Sequence, residues 1–432
     1  MKIKIIGAGL AGIEAAWYLA KRGYEIELYE MRPNKMTEAH KTNKFAELVC
    51  SNSLKSEAMD NASGILKYEM EVFDSLVMKS AKIHKIEAGG ALAVDREGFS
   101  EYITNEIKKL NNITIINDEV KEIDPNIPTI IATGPLSSDN ITNEIKKLFN
   151  EDNFYFFDAQ APIIYADSVN YDKVYLKSRY DKGIPSYYNC PFTKEEFDIF
   201  YNELIKATAL EIKEFEIKVF EACMPIEVMA KRGIDTLRYG PMKPVGLRKP
   251  DGTTPYAVVQ LRHDDSENKL FNLVGFQTHL EFKEQKRVFS LIPGLENVRF
   301  AKYGRMHKNT YINAPKILNE TYQTKKYPNL FFAGQVSGVE GYLESASSGI
   351  YAAINMDRYL RGKELITLGN KTVMGALSYY ITHASPDNFQ PMNANFGIIA
   401  ELDFKHKKNE RKMLYSNVAC KTILEKKELI ND

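Results

Sequence analysis

The pattern with the clearest chemical meaning is GAGLAG at residues 7–12. It follows a β-rich run at 2–6 and opens a helical run at 10–22. Glycines at this spacing allow a tight turn, a close approach of backbone N–H groups to a pyrophosphate, and close helix–strand packing. Glu30 ends the next predicted strand, where a carboxylate can accept a hydrogen bond from a ribose 2′-hydroxyl and disfavours a 2′-phosphate. The segment therefore predicts a dinucleotide site for a ligand other than NADP.

A second Gly-rich element lies far downstream, at residues 329–349. The sequence predicts a strand at 330–333, a loop at 334–341 and a helix rich in small residues at 342–360. In flavoproteins such an element brings a second helix N-terminus to the flavin, and a strand that ends at Thr133-Gly134 is a further shared feature. An ordinary second βα unit of the same sheet is the alternative interpretation. We favour FAD as the ligand.

Cysteine usage gives two candidates for nucleophilic chemistry. Cys50, Cys190, Cys223 and Cys420 show no CxxC spacing, which favours a reducing compartment over a disulfide scaffold. Cys50 and Cys223 both stand among apolar residues, where a cysteine is most often a small buried side chain. A reactive thiolate needs a nearby positive charge or a helix N-terminus. Pro225 excludes a regular helix through Cys223, so a turn that projects this side chain is the favoured interpretation.

The charges sum to zero, with 57 Lys+Arg against 57 Asp+Glu, which excludes a protein that binds nucleic acid through bulk charge. They are nevertheless segregated, because residues 193–227 carry a net charge of −5 (4 − 9) and residues 228–249 carry +5 (6 − 1). Three basic clusters stand out: Lys231, Arg232, Arg238, Lys243, Arg248 and Lys249; Arg299, Lys302, Arg305 and Lys308 with Tyr303 and Tyr311; and Lys405, Lys407, Lys408, Arg411 and Lys412. Such clusters suit RNA, and a solvated charged face is an equally good interpretation of each one alone.

Several classes of site and of location are disfavoured. The seven histidines are scattered without metal-ligand spacing, so no metal site is predicted. No GxSxG elbow or P-loop occurs, which favours chemistry carried by a cofactor. The chain begins with a strand-like run and has no apolar stretch long enough for a bilayer. A cytoplasmic protein is predicted.

The remaining patterns predict the elements that position these residues. Asp95 is expected to cap a helix that runs to about residue 110, and residues 36–64 to form a loop with short helical pieces. Further strands are expected at 113–117, 119–123, 129–132, 256–261 and 271–276, with a helical segment at 193–227. The predicted fold class is α/β, a Rossmann-like, glutathione-reductase-like FAD-binding domain (1–155 and 300–432) interrupted by an inserted α+β domain (156–299).

The chain closely resembles the folate- and FAD-dependent tRNA (uracil-5-)-methyltransferases, the TrmFO family, over essentially its whole length. Besides GAGLAG, the motifs that carry the resemblance are LYEMRP at 28–33, FAELVCSNSL at 45–54, AGGALAVDR at 88–96, CMPIEVMA at 223–230, GPMKPVG at 240–246, TPYAVVQLR at 254–262, VGFQTHL at 274–280, AGQ at 333–335 and NFQPMNANF at 388–396. Ala222 departs from the glycine typical of the family before the cysteine.

The resemblance implies a reaction. It implies formation of 5-methyluridine with a one-carbon unit from 5,10-methylenetetrahydrofolate and a hydride from reduced FAD, which NAD(P)H recharges. The implied target is the T-loop uridine of tRNA, and the same chemistry on a uridine of 23S rRNA is the alternative. An FAD oxidoreductase acting on a small metabolite, and a noncatalytic flavin-containing RNA-binding module, are the alternatives from other classes.

The resemblance also assigns roles to residues. Cys223 is the implied nucleophile that adds to uracil C6, and Cys50 is a second active-site cysteine, either a general base or a protective thiol. The implied contacts of FAD are Gly7, Gly9, Leu10, Ala11, Gly12, Glu30, Arg32, Gly134, Gly334 and Gln335. Candidates for folate or RNA are Arg305, His307, Lys243 and Arg248. A monomer or weak dimer is expected, without membrane or metal.

Overall fold

The computed structural model describes residues 2–151, 154–181, 183–210, 224–265, 267–402, 407 and 409–431, with the backbone alone described at 154–159, 306–308 and 388. The strands are β1 Lys2–Ile6, β2 Glu25–Tyr29, β3 Ser53–Ser56, β4 Lys85–Ile86, β5 Ala91–Val94, β6 Ile113–Ile116, β7 Thr129–Ile131, β8 Phe154–Ala159, β9 Ile163–Tyr165, β10 Tyr175–Leu176, β11 Tyr187–Phe192, β12 Ala257–His263, β13 Leu270–Leu273, β14 Phe300–Lys302, β15 Met306–Tyr311 and β16 Leu330–Phe332.

The α-helices of the described residues complete the set of elements. They are α1 Leu10–Ala20, α2 Ala62–Val72, α3 Leu76–Ile83, α4 Arg96–Lys108, α5 Asp139–Phe149, α6 Lys194–Lys206, α7 Ile226–Lys231, α8 Ile234–Tyr239, α9 Phe282–Phe289, α10 Ala314–Ile317, α11 Tyr342–Leu360, α12 Val373–His383 and α13 Arg411–Asn431. The side chain of Asp95 accepts a hydrogen bond from the N–H of Gly98 at 2.7 Å, which confirms the predicted cap of α4.

A parallel sheet forms the centre of the first part of the fold. Its strand order is β16-β7-β1-β2-β6, and each neighbouring pair is parallel. Residues of α1 are buried on every side of the helix, between this sheet and α11. A Cβ on Gly349 of α11 would lie 2.1 Å from the Ala11 carbonyl oxygen, so only glycine permits this close contact of the two helices. The α/β class with a parallel sheet is confirmed.

An antiparallel sheet forms the second part. Its order is β10-β11-β12-β13-β9-β14, and α6, α7 and α9 pack with it around a separate hydrophobic core that includes Phe192, Phe200 and Phe276. β8 and β15, on either side of this part in the chain, pair with each other in an antiparallel ribbon. The domain boundaries near residues 155 and 300 stay a prediction.

Three predicted elements differ from the structure. Residues 119–123 form no strand, because Glu119 instead accepts side-chain hydrogen bonds from Lys35 at 2.7 Å and Asn140 at 3.0 Å, outside any strand ladder. The segment 36–64 contains β3, which pairs with β5. The helical segment predicted at 193–227 is helical in α6 and at the start of α7, but residues 207–210 are not helical, because Ala209 forms an antiparallel β-bridge with Leu280. Residues 211–223 lie outside the described part of the chain.

Candidate functional site

A cavity of about 500 Å³ opens at the carboxyl ends of the parallel strands. Its lining combines the Gly-rich turn after β1, the end of β2, the segment after β7, the loop after β16 and the start of α11. From the antiparallel part and its edge it receives Gln160, Arg262, Gln277 and Asn309. Ligands of open α/β sheets bind at this edge, because the N-termini of the following helices face it.

The turn between β1 and α1 is shaped by glycines in close backbone contact. Gly7 has φ of +104°, and a Cβ there would lie 2.5 Å from the Ala132 carbonyl oxygen. Gly12 faces the Gly7 carbonyl oxygen, which a Cβ would approach to 1.8 Å. The first turn of α1 has no side-chain cap and no acidic residue. Its N–H groups are therefore available to an anion in the cavity.

Glu30 and Arg32 form a buried pair beside this turn. The Glu30 carboxylate accepts hydrogen bonds from the Ala8 N–H at 3.1 Å and from Arg32 Nε at 2.9 Å. Arg32 is 2% exposed, and its other nitrogens donate to Glu30 Oε2, Glu47 and the Thr42 carbonyl at 3.1–3.2 Å. Burial alone would raise the pKa of Glu30, and the hydrogen bonds and charge of Arg32 outweigh it, so the pKa is lowered. The carboxylate is thus ionised at the cavity.

Cys50 lines the same cavity, in a segment held by backbone contacts. We call residues 48–53 the Cys50 segment. Arg96, at the start of α4, donates from Nη1 to the Leu48 carbonyl at 2.6 Å and from Nη2 to the Cys50 carbonyl at 2.7 Å. Its Nε and Nη2 also bind both oxygens of Asp264, just after β12, at 3.0 and 2.9 Å. Asp264 is 3% exposed, so this bidentate ion pair is largely buried, and it joins the start of α4 to the end of β12.

Other side chains complete the environment of the Cys50 segment. The Cys50 N–H donates to the Tyr342 hydroxyl at 2.7 Å, and Lys302 Nζ donates to the Val49 carbonyl at 3.1 Å. Burial, together with the charges of Arg96 and Lys41, lowers the pKa of Lys302 to about 8. Two cationic side chains, Arg96 and Lys302, therefore contact the backbone of the Cys50 segment.

Arg262 is the third arginine of this region and the least satisfied. It is 7% exposed and lines the cavity. Its Nη2 donates to the Ser51 hydroxyl at 2.8 Å, and its Nε has no hydrogen-bond partner. Burial lowers the pKa of Arg262, while Tyr187 and Asp264 act in the opposite direction.

The structure brings most of the predicted site residues to one cavity. Those that line it are Gly7, Gly9, Leu10, Ala11, Glu30, Arg32, Cys50, Gly134, Gly334 and Gln335. Gly12 packs behind the turn. Cys223 lies outside the described residues, and so does the side chain of His307. Arg305, Lys243 and Arg248 are not among the lining residues.

The basic clusters are only partly available to a partner. Tyr311 is fully buried, so it cannot stack on a base, and Arg299 forms an ion pair with Asp167. In the first cluster, Arg238 lies over the Tyr256 ring and Lys249 pairs with Asp251. Arg248 is exposed and Lys243 half-buried. In the third cluster, Lys405 and Lys408 lie outside the described residues.

The sequence did not single out Arg96, Arg262 or Tyr342 as site residues, and it indicated Lys302 only as a member of a basic cluster that suits RNA. Arg96 and Arg262 each end a motif of the family resemblance, which was the available signal. Their contacts join segments 46 or more residues apart, such as Arg96 with Cys50 and Arg262 with Ser51, and no local spacing encodes such contacts.

Neither a metal site nor a membrane span is found in the described ranges. Within them, no group of three or more His, Cys, Asp or Glu side chains is arranged to hold a metal ion. Over the same ranges, no helix is both long and apolar enough to cross a bilayer.

Comparisons with known proteins assign the chain to a family. Residues 2–364 match the family model described as "Glucose inhibited division protein A". The chain is 56% identical to methylenetetrahydrofolate--tRNA-(uracil-5-)-methyltransferase TrmFO of Bacillus subtilis, covering 98% of this chain and 97% of that protein. It is 55% identical to the protein of that name from Exiguobacterium sp., covering 99% of both.

Among solved structures, one of GidA from Aquifex aeolicus superposes with a TM-score of 0.72 at 16% identity, covering 99% of this chain and 73% of that one. This likeness confirms the fold predicted from the sequence. Since the family model covers most of the chain and the identities extend over nearly all of it, the chain belongs to the TrmFO family of GidA-related proteins.

Proposed function

We propose that this protein is a flavin-dependent RNA methyltransferase that forms 5-methyluridine in the T loop of tRNA. Its one-carbon donor is 5,10-methylenetetrahydrofolate, and its hydride comes from FAD recharged by NAD(P)H. The observation that carries the proposal is the single cavity in which the dinucleotide-binding turn and Cys50 meet. The names of the relatives, which specify a methylenetetrahydrofolate-dependent tRNA uracil-5 methyltransferase, support the same reaction.

The residues of the cavity fit FAD. The uncapped N-terminus of α1 would bind the pyrophosphate, and Glu30 would accept a ribose hydroxyl in addition to its present donors. Gly334 and Gln335 precede a second helix, α11, whose first residue Tyr342 also lines the cavity. When bound, FAD supplies the hydride and accepts electrons from NAD(P)H. The protein's own contribution is to bind, orient and exclude water.

The cysteines would act on the uracil ring. In the proposal Cys223 adds to C6, which makes C5 nucleophilic, and Cys50 removes the C5 proton or protects the site. Arg96 and Lys302 bind carbonyl groups of the Cys50 segment and would favour its thiolate electrostatically. The target base has to leave its stack to reach the cavity.

The relatives' names favour tRNA over rRNA as the target. The proposal includes a cytoplasmic location, where that RNA is made, and a monomer or weak dimer. A small-metabolite oxidoreductase would account for the dinucleotide-binding turn, but not for the tRNA methyltransferase names of the relatives.

The decisive experiment supplies purified protein with FAD, methylenetetrahydrofolate and NADH, and offers tRNA and 23S rRNA in parallel. We expect 5-methyluridine in tRNA alone, measured by mass spectrometry of nucleosides. Cys223→Ala and Cys50→Ala should each abolish it, while Cys190→Ala, at a buried cysteine outside the cavity, should retain it. Methylation of rRNA alone, or full activity of Cys223→Ala, would contradict the proposal.

We further propose that Lys243 and Arg248 contact RNA phosphates. Neither forms an ion pair with a residue in the described part of the chain, and Tyr239 beside them is 74% exposed. Reversing both charges to Glu should weaken tRNA binding and reduce the salt slope by about 2, because each phosphate contact contributes about 1. Lys108→Glu with Lys109→Glu, at the end of α4, makes the same change in net charge and serves as the control. Equal affinity of the two double variants would refute this contact.

A further inference from the structure

Arg262 is a buried cation at the cavity without a carboxylate of its own. It lies on β12, where its backbone pairs with Tyr187 and Asn272 of neighbouring strands. Asp264, whose charge acts on Arg262, gives both oxygens to Arg96. No ion pair joins Arg262 to any residue that the structure describes. Its Nη2 donates to the Ser51 hydroxyl, and Tyr187 is a second hydrogen-bond partner of the guanidinium. Within the described residues, no carboxylate therefore neutralises this charge by direct contact.

An uncompensated charge of this kind is costly. A guanidinium stays protonated in proteins, so burial cannot be relieved by loss of the proton. A buried donor that lacks an acceptor loses its hydration without a replacement. Arg262 Nε is such a donor, and it belongs to a side chain that lines the cavity. The simplest physical reason to keep it is an oxygen acceptor that arrives with a ligand.

We propose that Arg262 binds a carbonyl oxygen of a pyrimidinedione ring in the cavity through its Nε–H. This inference rests on the proposed function, since both ring systems of that reaction, uracil and the isoalloxazine of FAD, contain such a ring. In either ring the carbonyl edge gains negative charge during the reaction, and a fixed guanidinium stabilises that charge in a site with little water.

For uracil the electron movement is explicit. As the thiolate sulfur bonds to C6, the π pair of the C5–C6 bond moves toward C4, and the C4 carbonyl oxygen becomes an enolate oxygen. Arg262 donates to that oxygen and remains protonated throughout. For the flavin, the ring carbonyl carries more negative charge after a two-electron reduction, and the same donor lowers the free energy of the reduced state. The two sources make different predictions.

The test compares holoenzymes carrying Arg262→Met and Arg262→Lys with Ser51→Ala and with Arg287→Met. Arg287 is exposed and ion-paired on α9, away from the cavity lining. The first measurement, without RNA, is the midpoint potential of bound FAD and its rate of reduction by NADH. The second is the rate of methylation of a T-loop RNA hairpin and the affinity for that hairpin. Arg262→Lys keeps the charge but removes the Nε–H donor.

If the ring is uracil, Arg262→Met should lower the methylation rate about 100-fold, the usual effect of losing one oxyanion donor, with flavin reduction unchanged. If the ring is the flavin, the potential falls and reduction by NADH slows in proportion. Either result supports the proposal and identifies the ligand. Both measurements within twofold of wild type in Arg262→Met would overturn it. So would a Ser51→Ala variant that reproduces the whole loss, because Arg262 would then serve only to hold Ser51. A wild-type enzyme that methylates no RNA would refute the proposed function, and the flavin measurement would still decide the role of Arg262.

Discussion

Arg32 and Arg262 are both buried arginines that line one cavity, and they differ in how completely their donors are used. Arg32 comes from the parallel-sheet part and binds two carboxylates and a carbonyl group. Arg262 comes from the antiparallel part and donates to the Ser51 hydroxyl, but within the described residues it has no carboxylate partner and no acceptor for its Nε–H. The hydrogen bonds of Arg32 are complete without a ligand, whereas in our proposal the Nε–H of Arg262 gains its acceptor from the ligand. Burial alone therefore does not distinguish a structural arginine from one that binds a ligand. The distinction lies in whether every N–H donor of the side chain has an acceptor within the protein.

The largest expected effect tests the completed side of this comparison. Arg32→Met should lower the free energy of unfolding by about 3–5 kcal/mol, because it leaves the buried carboxylate of Glu30 and the half-buried carboxylate of Glu47 without their cation. Denaturant unfolding at pH 7 measures it, with Arg262→Met as the matched substitution. The comparison fails if Arg262→Met destabilises as strongly as Arg32→Met.

Arg96 lies in the same region as Arg262, but each of its side-chain nitrogens has a hydrogen-bond acceptor. It therefore tests whether the partners of an arginine or its location determine its contribution to stability. Arg96→Met should cost about 3 kcal/mol, since Asp264 would remain buried and charged. Adding Asp264→Asn should recover part of the loss. No recovery in the double variant would show that Arg96 stabilises through its backbone acceptors instead. The measurement is again the denaturant midpoint, read as a double-mutant cycle.

Glu30 gives the completed side a pH dependence. Its lowered pKa means that the native state binds this proton less readily than the unfolded chain does. The stability from Glu30 is thus present above its unfolded pKa of 4.5 and is lost as pH falls through the lower folded value. Glu30→Gln should cost about 2 kcal/mol at pH 7. The difference from wild type should shrink as the pH is lowered toward 3, and a constant difference would contradict the assignment.

Lys302 gives the Cys50 side a pH dependence of the same sign at higher pH, and the smallest effect. Its pKa, lowered to about 8 from 10.5, means that the unfolded chain holds this proton more tightly between those values. Wild-type stability should therefore gain from Lys302 as pH rises from 8 to 10.5. We expect a gain of about 1 kcal/mol, discounted because the side chain is partly exposed. Lys302→Met should lack this gain relative to wild type in unfolding experiments across that range.

The sequence predicted the dinucleotide-binding half of the site well, because its information is local. A strand, a glycine turn, a helix and Glu30 follow one another within 30 residues, and each has a short-range signature. The same was true of Asp95 and of the helix that begins at residue 342. In these segments hydrophobic periodicity and capping chemistry agree with the fold.

The surroundings of Cys50 were harder to predict from the sequence, because their contacts join residues that are far apart in the chain. Arg96 and Asp264 are 168 residues apart, and Arg262 and Ser51 are 211 apart. The strand predicted at residues 119–123 is also absent from the structure, where Glu119 uses its side chain to bind Lys35. Burial of Tyr311 follows from packing against Phe389, far along the chain. In the sequence, by contrast, Tyr311 stands within a basic cluster that suits RNA.

The side chains of Arg96, Lys302 and Tyr342, which we call the clamping residues, bind main-chain atoms of the Cys50 segment. These contacts determine which positions of the segment can vary in sequence. Arg96 and Lys302 bind the carbonyl groups of residues 48, 49 and 50, and Tyr342 binds the N–H of residue 50. None of these bonds depends on which side chain stands at positions 48 or 49. Cys50 can therefore keep its position when residues 48 and 49 are substituted, provided that Arg96, Lys302 and Tyr342 are retained. A library of variants at positions 48 and 49 should accept many apolar residues, whereas the clamping residues should tolerate few.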